Sequence, residues 1–191
     1  MENSGLLLIL TGKTASGKDT IMQMLLSKYP NLQRVTTSTS RPKRDNEKDG
    51  LDYYFLTGEE FNKKIGKGDF IEHVEYGGHL YGTEKTEIAK VFNTNLIWRI
   101  DPSRASQIRQ FIKSANVLVI YLTVSDQVIL ERLQKRGLSQ AEIQTRMQQD
   151  KIFWNQFKDS YDFVVENVPG KLNQTFNKIA QIIESHRSKQ P

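Results

Sequence analysis

Apolar residues follow two rhythms along this chain. Short runs of strand length, Leu6–Leu10, Asn95–Asp101 and Asn116–Thr123, are rich in Leu, Ile and Val. Runs of that kind fit strands buried on both faces. Each is followed by a helical pattern, over Lys18–Lys28, Pro102–Lys113 and Ser125–Arg136 respectively. Ser125 has the chemistry of an N-cap, and Asp126 adds negative charge to the first turn. A short strand is expected near Gln33–Thr37 and a further helix over about Gln140–Phe157. A strand at Asp162–Glu166 precedes a last helix, about Lys171–His186. Strands alternating with helices predict an α/β fold, a parallel core sheet flanked by helices on both faces.

The segment Ser38–Lys90 breaks that rhythm. It holds the alternating stretches Tyr53–Leu56, Phe70–Tyr76 and His79–Tyr81, with Gly77-Gly78 as a two-residue hairpin signal between the last two. Thr57 and Glu60 have capping-box spacing ahead of a short helix. A small antiparallel insertion between core strands is expected. A second substrate is often held between such an insertion and the carboxyl edge of the sheet.

At the end of the first run the chain reads Gly12-Lys13-Thr14-Ala15-Ser16-Gly17-Lys18, the G-x-x-x-x-G-K core of a P-loop. Two glycines permit backbone angles that turn successive N–H groups around a phosphate, and the following helix adds the positive end of its dipole. Lys18 is placed to reach the β/γ-phosphates. Asp19 stands where Ser or Thr usually helps hold Mg²⁺, and Thr20 comes one place later.

The chain has 191 residues, a net charge of +5 and no cysteine. The length suits one domain, or a core with an insertion. A moderately basic balance fits anionic partners, but no long Lys/Arg block supports nucleic-acid binding. Without cysteine there is no disulfide, no Cys-ligated zinc and no thiol catalysis. His73, His79 and His186 have no metal spacing, and Trp98 and Trp154 read as packing residues. Leu6–Leu10 is too short for a signal segment or a membrane span. A soluble cytoplasmic protein, engaging neither nucleic acid nor membrane, is expected.

The insertion opens with Thr37-Ser38-Thr39-Ser40-Arg41-Pro42-Lys43-Arg44, continues through Glu47, Gly50 and Tyr53, and closes with Phe70-Ile71-Glu72 and Tyr81-Gly82-Thr83. On these motifs, over about Leu6 to Ser185, the chain resembles the guanylate kinase family. The resemblance implies a P-loop nucleoside monophosphate kinase fold. Residues 5–37, 91–125 and 147–188 would form the core, 38–90 the GMP-binding insertion and 126–146 a helical lid. It implies transfer of a phosphoryl group from ATP to GMP with Mg²⁺, by a monomer or homodimer. Arg41, Arg44, Tyr53 and Tyr81 would hold the GMP phosphate, and a guanidinium fork matches phosphate oxygens. Thr37, Glu72, Thr83 and Asp101 would read the base. A carboxylate that needs two adjacent donors selects guanine, because adenine leaves it unpaired. Gly12 to Thr20 would hold ATP, with Asn167 at the adenine. Lys18, Arg132, Arg136 and Arg146 would surround the transferred group, where converging cations stabilise developing charge. Asp19 and Thr20 would serve the metal, largely through water.

Two departures from the family pattern sit close together in the expected fold. Asp19 is an acid gained in the P-loop. Arg99 replaces the first acid of a D-x-D run whose second acid is Asp101. The expectation is that Asp19 and Arg99 pair, or that Asp19 takes over part of the Mg²⁺ electrostatics. Two other readings stand beside the kinase. Gly17-Lys18-Asp19 also resembles ribose 1,5-bisphosphate phosphokinases, for which Glu72 would have no purpose. A guanylate-kinase-like binding module without catalysis is the other, against which Lys18 and the three lid arginines argue.

Overall fold

The computed structural model describes residues 5–76, 78–112 and 116–187. Gly77 of the expected hairpin, Lys113 at the expected helix end and residue 188 of the expected core lie outside them. A five-stranded sheet forms the centre, in the order β2 (Leu32–Arg34), β7 (Asn95–Arg99), β1 (Leu6–Gly12), β8 (Asn116–Thr123) and β9 (Phe163–Glu166), with every pairing parallel. Leu8 lies opposite Ile97 on one side and Leu118 on the other. The expected alternation of strand and helix therefore builds the expected sheet.

Strand geometry sends successive side chains to opposite faces, and β1 is apolar at both. Leu6, Leu8 and Leu10 pack with Ile21 and Leu25 of α1 (Lys18–Lys28) and with Ile179 and Ile183 of α7 (Leu172–Arg187). Leu7 and Ile9 pack on the other face with Trp98 and with Ala105 and Ile108 of α4 (Pro102–Phe111). A third small cluster joins Ile129 and Leu133 of α5 (Asp126–Lys135) to Ile143 of α6 (Gln140–Phe157). α6 runs without interruption through residue 146. Trp98 is fully enclosed, and Trp154 packs against Tyr121, as packing residues should.

The insertion carries its own four-stranded sheet, in the order β4 (Tyr54–Phe55), β3 (Ser38–Thr39), β6 (His79–Glu84), β5 (Phe70–Tyr76). It is mixed rather than antiparallel, because β3 and β4 run parallel while β3–β6 and β5–β6 run antiparallel. Helix α2 (Gly58–Lys67) begins with the expected capping box between Thr57 and Glu60, and α3 (Lys85–Ala89) follows β6.

Several boundaries differ from expectation for local reasons. β2 stops at Arg34, since the Thr36 N–H donates to the buried Glu87 carboxylate at 3.2 Å and the chain then passes into β3. β7 stops at Arg99, and Asp101 instead accepts the Ser103 and Arg104 N–H groups as the N-cap of α4. Ser125 occupies the N-cap of α5 without capping it through its side chain. The neighbouring Asp126 carboxylate accepts from Lys13 Nζ at 2.8 Å. Among the described residues no helix is long and apolar enough to cross a membrane.

Candidate active site

The carboxyl ends of β1, β7 and β8 place the Gly12–Lys18 loop, Arg99 and Val124 along one edge, beside the point where strand order reverses. Sterics explain both glycines of the loop. Gly12 has φ 137°, and a Cβ there would meet the Leu122 carbonyl oxygen at 2.0 Å. Gly17 has φ 93°, and a Cβ there would meet the Asn167 amide nitrogen at 2.6 Å. Non-glycine residues disfavour such angles even in open space.

Lys18 starts α1 with its ammonium folded back over the loop, donating to the carbonyls of Gly12 at 2.9 Å and Lys13 at 2.6 Å. Burial lowers its pKa to about 8, with Asp150 the strongest opposing influence. Asp150 is a buried acid on α6. Its carboxylate accepts from the Thr14 N–H at 2.7 Å and the Thr14 hydroxyl at 3.3 Å. Burial pushes the Asp150 carboxyl up from its ordinary value, against the pull of those bonds. Sequence reasoning missed this residue. Its signal was an acid at helical spacing from Ile143 and Met147, on the inward stripe of α6.

The remaining loop residues are held from three directions. Arg132 Nη1 donates to the Ala15 carbonyl at 2.7 Å. Asn167, buried, donates to the Ser16 carbonyl at 2.8 Å and accepts from the Thr175 hydroxyl. Thr20, Arg132, Arg136 and Asn167 line a cleft of about 220 Å³ with Ala15 and Gly17. Arg146 lies one helical turn before Asp150 and so on the same side of α6, outside the lining of that cleft. On the opposite side of the loop Arg99 Nη1 lies 3.1 Å from Asp19 Oδ1, the pairing expected from their sequence departures.

Mg²⁺ commonly takes one or two protein carboxylates and completes its shell with phosphate oxygens and water. No cluster of three or more His, Cys, Asp or Glu among the described residues could hold a metal unaided. Asp19, an exposed carboxylate directly after Lys18, is a suitable hard oxygen donor. The residues present therefore fit a Mg²⁺ that arrives with a polyphosphate.

In the insertion, Arg41 makes a bidentate pair with Glu47, at 2.8 and 2.7 Å. Glu47 also accepts the Arg44 N–H at 2.9 Å, and these donors, Arg41 foremost, pull its carboxyl down to about 2. The Arg41 guanidinium lies over the Tyr53 ring, 5.3 Å from its centroid, and Tyr53 meets Tyr81 edge to face. Arg41, Tyr53 and Tyr81 are thus brought together, while the Arg44 side chain is exposed. Glu47 belonged to the sequence motif with no role assigned; here it sets the fork of Arg41.

At the other end of the insertion, Glu72 Oε1 accepts from the buried Thr83 hydroxyl at 2.8 Å. Glu72 Oε2 accepts from Arg104 Nε at 2.7 Å, and Arg104 also pairs with Asp101. Burial raises the Glu72 pKa, opposed by Thr83 and Arg104. Glu72, Arg104, Trp98 and Ile100 line a cleft of about 390 Å³ between β5 and α4. Thr37 lies half-buried between β2 and β3, where its carbonyl accepts the Tyr54 N–H. Arg104, absent from the sequence reading, is the cation between two expected base-reading acids.

Residues 4–186 match the family model described as guanylate kinase. A guanylate kinase of Chlorobium chlorochromatii is 35% identical over 170 residues, covering 87% of this chain and 89% of that protein. One of Thermotoga maritima is 32% identical over 190 residues, covering 97% and 89%. The fold is similar to a crystal structure of guanylate kinase from Anaplasma phagocytophilum, with TM-score 0.71 and 24% identity over 99% of this chain and 89% of that one. It is also similar to a shikimate kinase from Acinetobacter baumannii, with TM-score 0.55 and 17% identity over 98% and 97%.

Proposed function

The chain belongs to the guanylate kinase family and is an ATP:GMP phosphotransferase, and on that premise we propose how its residues divide the work. ATP lies with its phosphates in the Gly12–Lys18 loop and its adenine in the cleft beside Asn167. Lys18 swings from the Gly12 and Lys13 carbonyls onto the β/γ-phosphates. Arg132 and Arg136 enter the same cleft, and Arg146 joins them as residues 126–146 close as a lid. Asp19 and, at longer range, Thr20 serve Mg²⁺, which when bound neutralises charge on the phosphates.

GMP lies between the 38–90 insertion and the core formed by 5–37, 91–125 and 147–188. Arg41, Arg44, Tyr53 and Tyr81 receive its phosphate. Thr37, Glu72, Thr83 and Asp101 read its base. No nucleophilic side chain is needed, since in-line transfer between two bound nucleotides is a matter of positioning and electrostatics. Closure of insertion and lid excludes water that would otherwise hydrolyse ATP.

The observation that carries this reading is the pairing of two sites on one chain. A cluster of Arg41, Tyr53 and Tyr81 and the carboxylate of Glu72 occupy the same insertion, and the P-loop heads the core. The enzyme is placed in the cytoplasm, in purine nucleotide metabolism, acting as monomer or homodimer on free nucleotides without nucleic acid or membrane.

The test is ADP formation from ATP and Mg²⁺ with GMP, AMP, UMP, CMP and ribose 1,5-bisphosphate as separate acceptors. Turnover confined to GMP is expected. Turnover with ribose 1,5-bisphosphate in place of GMP would overturn the base-reading assignment. No turnover with any acceptor would point to a binding module.

A further inference from the structure

We propose that Arg104 sets the choice of guanine over adenine, by tying Glu72 to Asp101 and holding Glu72 as an acceptor-only carboxylate at the base site. This rests on the reading above that Glu72 faces the purine. The guanidinium reaches each acid with a different nitrogen. Nε meets Glu72 Oε2 at 2.7 Å, and Nη1 meets Asp101 Oδ2. Nη2 donates at 3.4 Å to the His73 carbonyl on β5. One side chain on α4 therefore spans the seam between core and insertion, and it borders the cleft that Glu72 also lines.

The consequence lies in hydrogen-bond polarity. Guanine presents two adjacent donors, N1–H and the exocyclic amine, and an ionised carboxylate accepts both. Adenine presents an acceptor at N1 beside a donor at N6. A neutral carboxylic acid, with one O–H and one carbonyl, matches adenine instead. The protonation state of Glu72 is thus a specificity switch, and its surroundings pull in opposite directions. Burial and the Asp101 charge favour the neutral acid. The Thr83 hydroxyl on β6, Arg104 on α4 and, when protonated, the neighbouring His73 on β5 favour the carboxylate. Trp98, Ile100 and Ile108 on the facing wall carry no charge. Without Arg104, Glu72 loses the guanidinium that favours its carboxylate, while its burial and the nearby Asp101 charge remain and favour the neutral acid.

Arg104 is a positioning residue in this account, since it acts through Glu72. The experiment measures kcat/KM for GMP and for AMP between pH 5.5 and 8.5, in wild type, Arg104→Met, Arg104→Lys and Arg104→Met with Glu72→Gln. Wild type is expected to favour GMP throughout. Arg104→Met is expected to lose roughly 10- to 100-fold in kcat/KM for GMP, mostly through KM. The loss should deepen as pH falls while AMP turnover rises. Arg104→Lys should restore the wild-type pH profile in part, and the double variant should lose the extra pH dependence. A GMP-to-AMP ratio and pH profile unchanged in Arg104→Met would overturn the proposal, as would survival of the extra pH dependence in the double variant, which would show that a group other than Glu72 titrates. Should Arg104→Met fail to fold, Arg104→Gln carries the same expectations. Wild type inactive on GMP would instead overturn the underlying assignment of the base site.

Discussion

Arg99, at the end of β7, and Asp19, in the first turn of α1, form an ion pair across 80 residues of chain, with N–O separations of 3.1 and 3.2 Å. Both side chains are substantially exposed, so the pair adds little to stability, about 0–1 kcal/mol. Its weight lies in charge placement. Asp19 alone beside Lys18 would put an uncompensated acid next to incoming triphosphate; Arg99 balances it.

The expected outcome is coupling in a double-mutant cycle. Asp19→Ser alone leaves Arg99 unpaired beside the proposed Mg²⁺ position and should lower kcat/KM for ATP. Asp19→Ser with Arg99→Asp restores an acid at the neighbouring position and should recover part of that loss. Additive effects, within the error of the two single variants, would show that the pair is not a functional unit.

The elements that sequence resolved best are those whose cause is local. The apolar run of β1, the Gly12–Lys18 loop and the Thr57–Glu60 capping box each depend on neighbours within a few residues. The Asp19–Arg99 pair was legible for a different reason, because two opposite departures from one motif compensate each other. What sequence left hidden needed tertiary contact. Asp150 finds Thr14 across 136 residues, and Arg104 meets Glu72 only when α4 packs along the insertion. Boundaries at Arg34 and Arg99 were misplaced because buried Glu87 and the capping Asp101 claim backbone N–H groups beyond the strand ends. The parallel pairing of β3 with β4 was equally invisible, since alternation does not reveal strand direction.

Asp150 yields the second prediction. Asp150→Ala removes the acceptor of a Thr14 N–H that packs against α6. Leaving such a donor unpaired costs about 1–3 kcal/mol, read as a lower midpoint in denaturant. Asp150→Asn keeps an oxygen there and should be milder. It also removes the strongest influence holding Lys18 protonated, so ATP binding by this variant should begin to weaken at a lower pH than in wild type. Equal midpoints for wild type and Asp150→Ala would show that the contact contributes nothing to the loop.

Glu47 yields the third. It fixes both guanidinium nitrogens of Arg41 while the same guanidinium lies over Tyr53. Glu47→Gln can accept only one of those bonds and carries no charge. KM for GMP should rise about tenfold with KM for ATP unchanged. A rise shared equally by both substrates would mean that the substitution disturbs the whole insertion rather than the clamp.

Lys18 yields the last prediction, on pH. Its ammonium is buried against backbone carbonyls, and burial brings its pKa down to about 8 from an ordinary 10.5. Bound phosphate oxygens favour the charged form and must raise that value. Where the free enzyme has begun to lose the proton, ATP binding therefore takes one up. Affinity should be level below pH 8 and weaken above it, approaching tenfold per pH unit. Calorimetric titration at pH 8.5, in two buffers of different ionisation enthalpy, should report uptake of a fraction of a proton. Lys18→Arg, charged at every accessible pH, should abolish the uptake even if it cripples turnover. Binding at pH 8.5 with no proton uptake by wild type would mean that Lys18 stays charged in the free loop, with the Gly12 and Lys13 carbonyls and Asp150 outweighing its burial.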